Sequence, residues 1–134
     1  MKILGIEHIG IAVEDLDTSS PFWKHILGLA HTRTEEVISQ KVKTAIFQTG
    51  RGKIELLEAT KSDSPVAKYL EKRGPGVHHL CLQVDDIRAA IKELQESNIE
   101  IINPEPRIGA EGHFIAFIHP RSTGGVLVEL AERR

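Results

Sequence analysis

Apolar and polar residues alternate along residues 3–13. On the strand this predicts, Ile9, Ile11 and Val13 share one face, while His8, Gly10 and Ala12 share the other. Small residues beside a histidine leave room on that second face, as a cavity wall would. A helical spacing follows. Asp15 or Asp17 is placed to cap a helix, Pro21 falls in its first turns, Phe22, Ile26 and Leu29 recur about once per turn, and Gly28 ends it. Strands are expected over residues 29–38, 42–49 and 53–59, the last two joined by Gly50-Arg51-Gly52. Ser64-Pro65 opens a short helix carrying Val66, Ala67 and Leu70, which stops at Gly74-Pro75-Gly76.

The pattern then restarts. A strand is expected over residues 77–84, and a helix over 86–97 with Ile87, Ala90, Ile91 and Leu94 on one face and Asn98 as its stop. Strands near 99–103, 113–119 and 125–131 complete the chain. The restart is visible residue by residue. His8-Ile9-Gly10-Ile11-Ala12-Val13-Glu14-Asp15-Leu16 is echoed by His79-Leu80-Cys81-Leu82-Gln83-Val84-Asp85-Asp86-Ile87, and Ile54-Glu55-Leu56 by Val128-Glu129-Leu130. A repeated unit fixes architecture before any other signal does. The prediction is an α+β fold of two βαβββ modules: residues 1–60 approximately, a connector helix over 61–75, and 76–134, forming one domain of 134 residues.

Composition narrows the function. A net charge of −2 without a basic stripe or a like-charge block argues against nucleic acid as a partner. The apolar runs are too short to span a membrane, and the first residues lack a signal-peptide core. A single cysteine, Cys81, excludes an internal disulfide framework and suits a reducing compartment, so a cytoplasmic location is expected.

Each repeat supplies one early histidine and one late glutamate. A lone strand histidine is usually structural, but His8 and His79 occupy equivalent positions. His78 points to the opposite face from its neighbour, so the repeat selects His79. Glu129 lies in an otherwise apolar run, where a buried carboxylate needs a cation or a shifted pKa. His8, Glu55, His79 and Glu129 are therefore the expected ligands of a divalent metal, with mixed imidazole and carboxylate donors suiting Co²⁺, Mn²⁺, Ni²⁺ or Zn²⁺. Gln48, Gln83 and Thr44 read as ordinary strand residues, and Cys81 as packing. His25, His31 and His113 have no repeat partner and default to surface or loop. Phosphate loops, dinucleotide fingerprints and nucleophile elbows are absent.

The duplicated unit with one His and one Glu from each half resembles the vicinal oxygen chelate superfamily, which includes glyoxalase I, extradiol dioxygenases, fosfomycin- and bleomycin-resistance proteins and methylmalonyl-CoA epimerases. Several segments are similar to the epimerase family in particular: Gly5 to Val13, Glu55-Leu56-Leu57-Glu58 ahead of Asp63-Ser64-Pro65-Val66-Ala67-Lys68, Gly76-Val77-His78-His79-Leu80, Pro106-Arg107-Ile108-Gly109-Ala110, Phe117-Ile118-His119-Pro120-Arg121 and Gly124 to Leu130. Glyoxalase I typically has Asp-Pro-Asp-Gly where this chain has His119-Pro120-Arg121-Ser122, and lacks the Asp63-Ser64-Pro65 connector.

The resemblance implies a curved mixed sheet around a metal cavity, an acyl-CoA thioester substrate and a homodimer. It further implies epimerisation of (2R)- and (2S)-methylmalonyl-CoA through α-proton abstraction and a metal-stabilised enolate, with the glycine-rich segment 107–112 covering the substrate. Some epimerases carry a glutamate on the third strand as one of two opposing bases; the matching position here is Thr44. Glu129 is then the expected first base and Glu55 the second. Two alternatives use the same fold: a glyoxalase I-type lyase acting on a glutathione hemithioacetal, and a small-molecule sequestering protein, which usually lacks the full ligand set.

Overall fold

Strand β1, Ile3–Ala12, opens the chain, and the computed structural model describes all residues, Met1–Arg134. The chain divides into two units, His8–His78 and Met1–Glu7 with His79–Arg134, so β1 contributes to both.

In the unit His8–His78, β1 is followed by helix α1 (Leu16–Pro21), strands β2 (Ala30–Val37), β3 (Val42–Gln48) and β4 (Lys53–Ala59), and helix α2 (Pro65–Arg73). The strand order is β2-β3-β4-β1; β1 runs parallel to β4 and the other pairs are antiparallel, which makes the sheet mixed. One face buries Val13, Leu16, Ala45, Phe47 and Leu56, with Trp23 and Leu29 packed on them. Strand alternation sends Thr44, Ile46, Glu55, Leu57, His8, Gly10 and Ala12 to the other face.

The second unit repeats the scheme with β5 (Gly76–Val84), α3 (Ile87–Glu96), β6 (Arg107–Ile108), β7 (Phe114–Ile118) and β8 (Val128–Glu132). Here β5 runs parallel to β8, and β8-β7-β6 continue antiparallel. Ile87, Ala90 and Ile91 of α3 pack on Val84, Ala116, Ile118 and Leu130, the apolar stripe its spacing predicts. The order β-α-β-β-β thus occurs twice, as the sequence pattern requires.

Both helices that follow a histidine strand start the same way. Asp15 accepts from Thr18 N at 3.1 Å, and Asp86 from Ala89 N at 3.0 Å. A second carboxylate reaches each start from the far strand: Glu58 accepts from Leu16 N at 2.9 Å and Glu132 from Ile87 N at 2.8 Å. Two otherwise orphaned N–H groups are satisfied at each helix, and both anions face the positive end of its dipole.

Three expectations are corrected. The first helix does not run evenly to Gly28. Pro21 lacks an N–H, and beyond it the chain widens into a π-turn over Phe22–Ile26, with Leu27 N bonded to Phe22 O at 2.9 Å. The shift turns Trp23 inward and leaves Phe22 and Ile26 exposed. Secondly, residues 99–103 form no strand; they hold one bridge, Ile101 to Ile118, after Asn98 takes a positive φ of 63°. The pairing is made instead by Arg107–Ile108, which lie in the segment read as a loop. Thirdly, the last strand begins at Val128 rather than 125, because Gly124 and Gly125 both adopt positive φ. No helix is long and apolar enough to cross a membrane.

Candidate metal centre

His8 lies on β1 two residues before Gly10, and Gly10 is the Cα partner of Glu55 on parallel β4. Parallel register therefore sets imidazole and carboxylate diagonally on one face, and His8 Nδ1 stands 3.2 Å from Glu55 Oε2. The other unit uses the same construction. His79 lies two residues before Cys81, whose partner on β8 is Glu129, and His79 Nε2 stands 3.1 Å from Glu129 Oε1. All four side chains are buried. Phe117, the Cα partner of Glu129 on β7, sets its ring edge-on to His79 at 5.7 Å and fixes the imidazole plane.

These separations test the fit of a metal. Two ligand atoms each at about 2.1 Å from an ion and at right angles about it lie about 3.0 Å apart. Both His–Glu contacts are near that value, and the nitrogen and oxygen donor set is one that divalent transition metals accept. Burial adds to the case, since carboxylates this deeply enclosed gain from a cation.

His78 turns away from His79 and packs edge-on against Tyr69 at 5.1 Å. Thr44 is fully buried on β3, opposite Leu57 on one side and Glu35 on the other. Its hydroxyl is no base at neutral pH. Cys81 is buried against Ile115 and Ala131, as packing requires. His31 is exposed and bonded to Thr34 at 2.9 Å, and His113 is half-buried in the loop that leads into Phe114.

A family model described as the Glyoxalase/Bleomycin resistance protein/Dioxygenase superfamily matches residues 7–117. The mitochondrial methylmalonyl-CoA epimerase of Homo sapiens is 38% identical, over 95% of this chain and 73% of its own. The methylmalonyl-CoA epimerase of Mycobacterium tuberculosis superimposes with a TM-score of 0.95 at 33% identity, covering 98% of this chain and 89% of that one. The chain belongs to this superfamily, and within it to the methylmalonyl-CoA epimerase family. A further solved structure, a methylmalonyl-CoA epimerase in complex with methylmalonyl-CoA and NH4+, has a TM-score of 0.93 at 35% identity, over 98% of this chain and 95% of that one. The family's vicinal oxygen chelate fold is therefore the fold of this enzyme.

Two kinds of residue went unassigned in the sequence. Glu58 and Glu132 cap helices from the strands that carry Glu55 and Glu129; the signal was the spacing Glu-x-x-Glu at the end of each half. Lys53 is the other. It is buried on the same face as Glu55, directly beside His8 in the register. Nothing in its local pattern, a lysine after a Gly-Arg-Gly turn, distinguishes it from a surface residue.

Proposed function

We propose that this enzyme interconverts the (2R) and (2S) forms of methylmalonyl-CoA, with His8, Glu55, His79 and Glu129 as ligands of one divalent metal ion and the two units acting as a single domain. The observation that carries the reading is the repeated, buried His–Glu pair at metal-ligand spacing in a chain of the epimerase family. When bound, the ion would polarise the thioester carbonyl and the carboxylate, lowering the cost of charge that develops on deprotonation.

The remaining work falls to the chain. Epimerisation requires a proton to leave one face of the α-carbon and a proton to arrive on the other. A carboxylate oxygen of Glu129 takes the proton on one face. Glu55, its counterpart in the duplication, serves the other, because Thr44 holds the position where some family members have a glutamate and cannot act as a base. Ile46 and Leu57, beside Glu55 on the same face, keep water from the deprotonated carbon. The segment 107–112 covers the substrate, which for a CoA thioester must enter from solvent.

Proton NMR in D₂O tests the reading. Metal-loaded enzyme exchanges the α-proton of methylmalonyl-CoA for deuterium, and chelator abolishes the exchange. Turnover of a glutathione hemithioacetal without α-proton exchange would instead establish a glyoxalase I-type lyase. Ile3, Leu4 and Ile6 are exposed apolar residues on β1 and support the homodimer, which light scattering measures. A cytoplasmic location fits a chain whose single cysteine, Cys81, is buried in the packing of β5.

A further inference from the structure

Lys53 is only 8% exposed, and the proton-transfer scheme above makes no use of it. Its Cα partners are His8 on β1 and Gln48 on β3, and Glu55 follows two residues later on the same strand face. A cation is therefore built into the floor of this face, one register row from the carboxylate. On the same face Gly10, the Cα partner of Glu55, carries no side chain and Ala12 only a methyl group.

A buried lysine beside a buried glutamate could simply balance its charge. The duplication supplies the control for that explanation. The position two residues before Glu129 is Leu127, yet Glu129 is as deeply buried as Glu55 and holds its histidine at the same distance. The His–Glu pair of this fold thus needs no lysine beside it. The positive charge is an addition made to one half only, and the substrate is the component of the reaction that lacks two-fold symmetry.

We propose that Lys53 binds the free carboxylate of the acyl group and so makes the enzyme select 2-carboxyacyl-CoA thioesters over plain acyl-CoA thioesters. The inference rests on the epimerase reading above. Lysine offers three donors and a compact charge, which suits a carboxylate that must be held while the adjacent carbon inverts. A charge-assisted hydrogen bond of this kind corresponds to a preference of about 10–100-fold.

The test measures calorimetric affinities of metal-loaded wild type, Lys53→Met and Lys53→Arg for malonyl-CoA and propionyl-CoA, with metal content and melting temperature determined in parallel. In Lys53→Met, malonyl-CoA affinity is expected to fall about 10–100-fold while propionyl-CoA affinity stays within about twofold. Lys53→Arg should recover most of the loss. For methylmalonyl-CoA the KM should rise more than kcat falls. An equal loss for both thioesters, no loss for either, or loss of metal with the preference unchanged would overturn the assignment. Should Lys53→Met fail to fold, Lys53→Gln gives the same readout. Wild type that exchanges the α-proton, alongside a Lys53→Met variant with unaltered preference, rejects the role of Lys53 alone. Wild type with neither exchange nor a preference for malonyl-CoA rejects the epimerase reading as well.

Discussion

At the scale of single residues, the proposed mechanism gives the two glutamates of the candidate centre separable duties. Glu129→Gln keeps an oxygen donor but removes the basic carboxylate, so kcat is expected to fall about 10²–10⁴-fold with metal content largely retained. Glu55→Gln should leave α-proton exchange nearly intact for one substrate epimer and abolish it for the other, which NMR of each epimer in D₂O reads directly. Equal loss for both epimers, with metal retained, would count against Glu55 as the second base. One surface pair gives a clean titration. The Lys41 ammonium, 2.5 Å from Asp63, hydrogen-bonds that carboxylate and holds its pKa below the ordinary aspartate value. A carboxyl group depressed in the folded state contributes stability above its unfolded pKa and loses it as pH falls through the folded one. Lys41→Ala should return the Asp63 carbon-13 titration toward the unperturbed value and remove that acid-side contribution.

At the scale of elements, the repeat explains why each helix starts where it does. Asp15 and Asp86 cap from the preceding residue, and Glu58 and Glu132 cap from the strand that also presents a candidate ligand. The last strand of each half is thereby tied to the helix on one face and to a histidine on the other, which fixes the strand's position along its axis. Asp86→Ala is expected to cost about 1 kcal/mol in urea denaturation, without altering metal content, because it removes one cap and leaves Glu132 in place. The hydrophobic spacing of α3 was legible from sequence because Ile87, Ala90 and Ile91 recur at helical intervals and meet one apolar surface. The spacing of the first helix misled because a π-turn changes the residue count per turn. Phe22 and Ile26 kept their apolar interval while their faces rotated outward.

At the scale of the whole molecule, the proposed site, with two ligands from each duplicated half, would make folding and metal binding linked equilibria. At a free metal concentration a hundredfold above its dissociation constant, binding should add about 2.7 kcal/mol of stability. Chelator is therefore expected to lower the melting temperature of the wild type, and to leave His8→Ala and His79→Ala, which begin without tight metal, nearly unchanged. Calorimetric scans with and without chelator measure the difference. An unchanged wild-type melting temperature would argue against a metal shared by the two halves.

The sequence by itself determined the duplication, the strand faces that carry His8, Glu55, His79 and Glu129, and the connector helix. Each of these is written in local periodicity or in self-similarity, which need no knowledge of what packs where. It could not assign the strand pairing at Arg107–Ile108, where two residues carry no period and the pairing depends on Phe114 and Ile115 arriving alongside. Nor could it distinguish Lys53 from a surface lysine, or Glu58 from any exposed acid. Those placements were decided by register: parallel pairing of β1 with β4 brought Lys53 beside His8, and the return of β4 past the start of α1 brought Glu58 to Leu16 N. A charged side chain shows its function only through its neighbours, and for residues so far apart along the chain the fold alone supplies them.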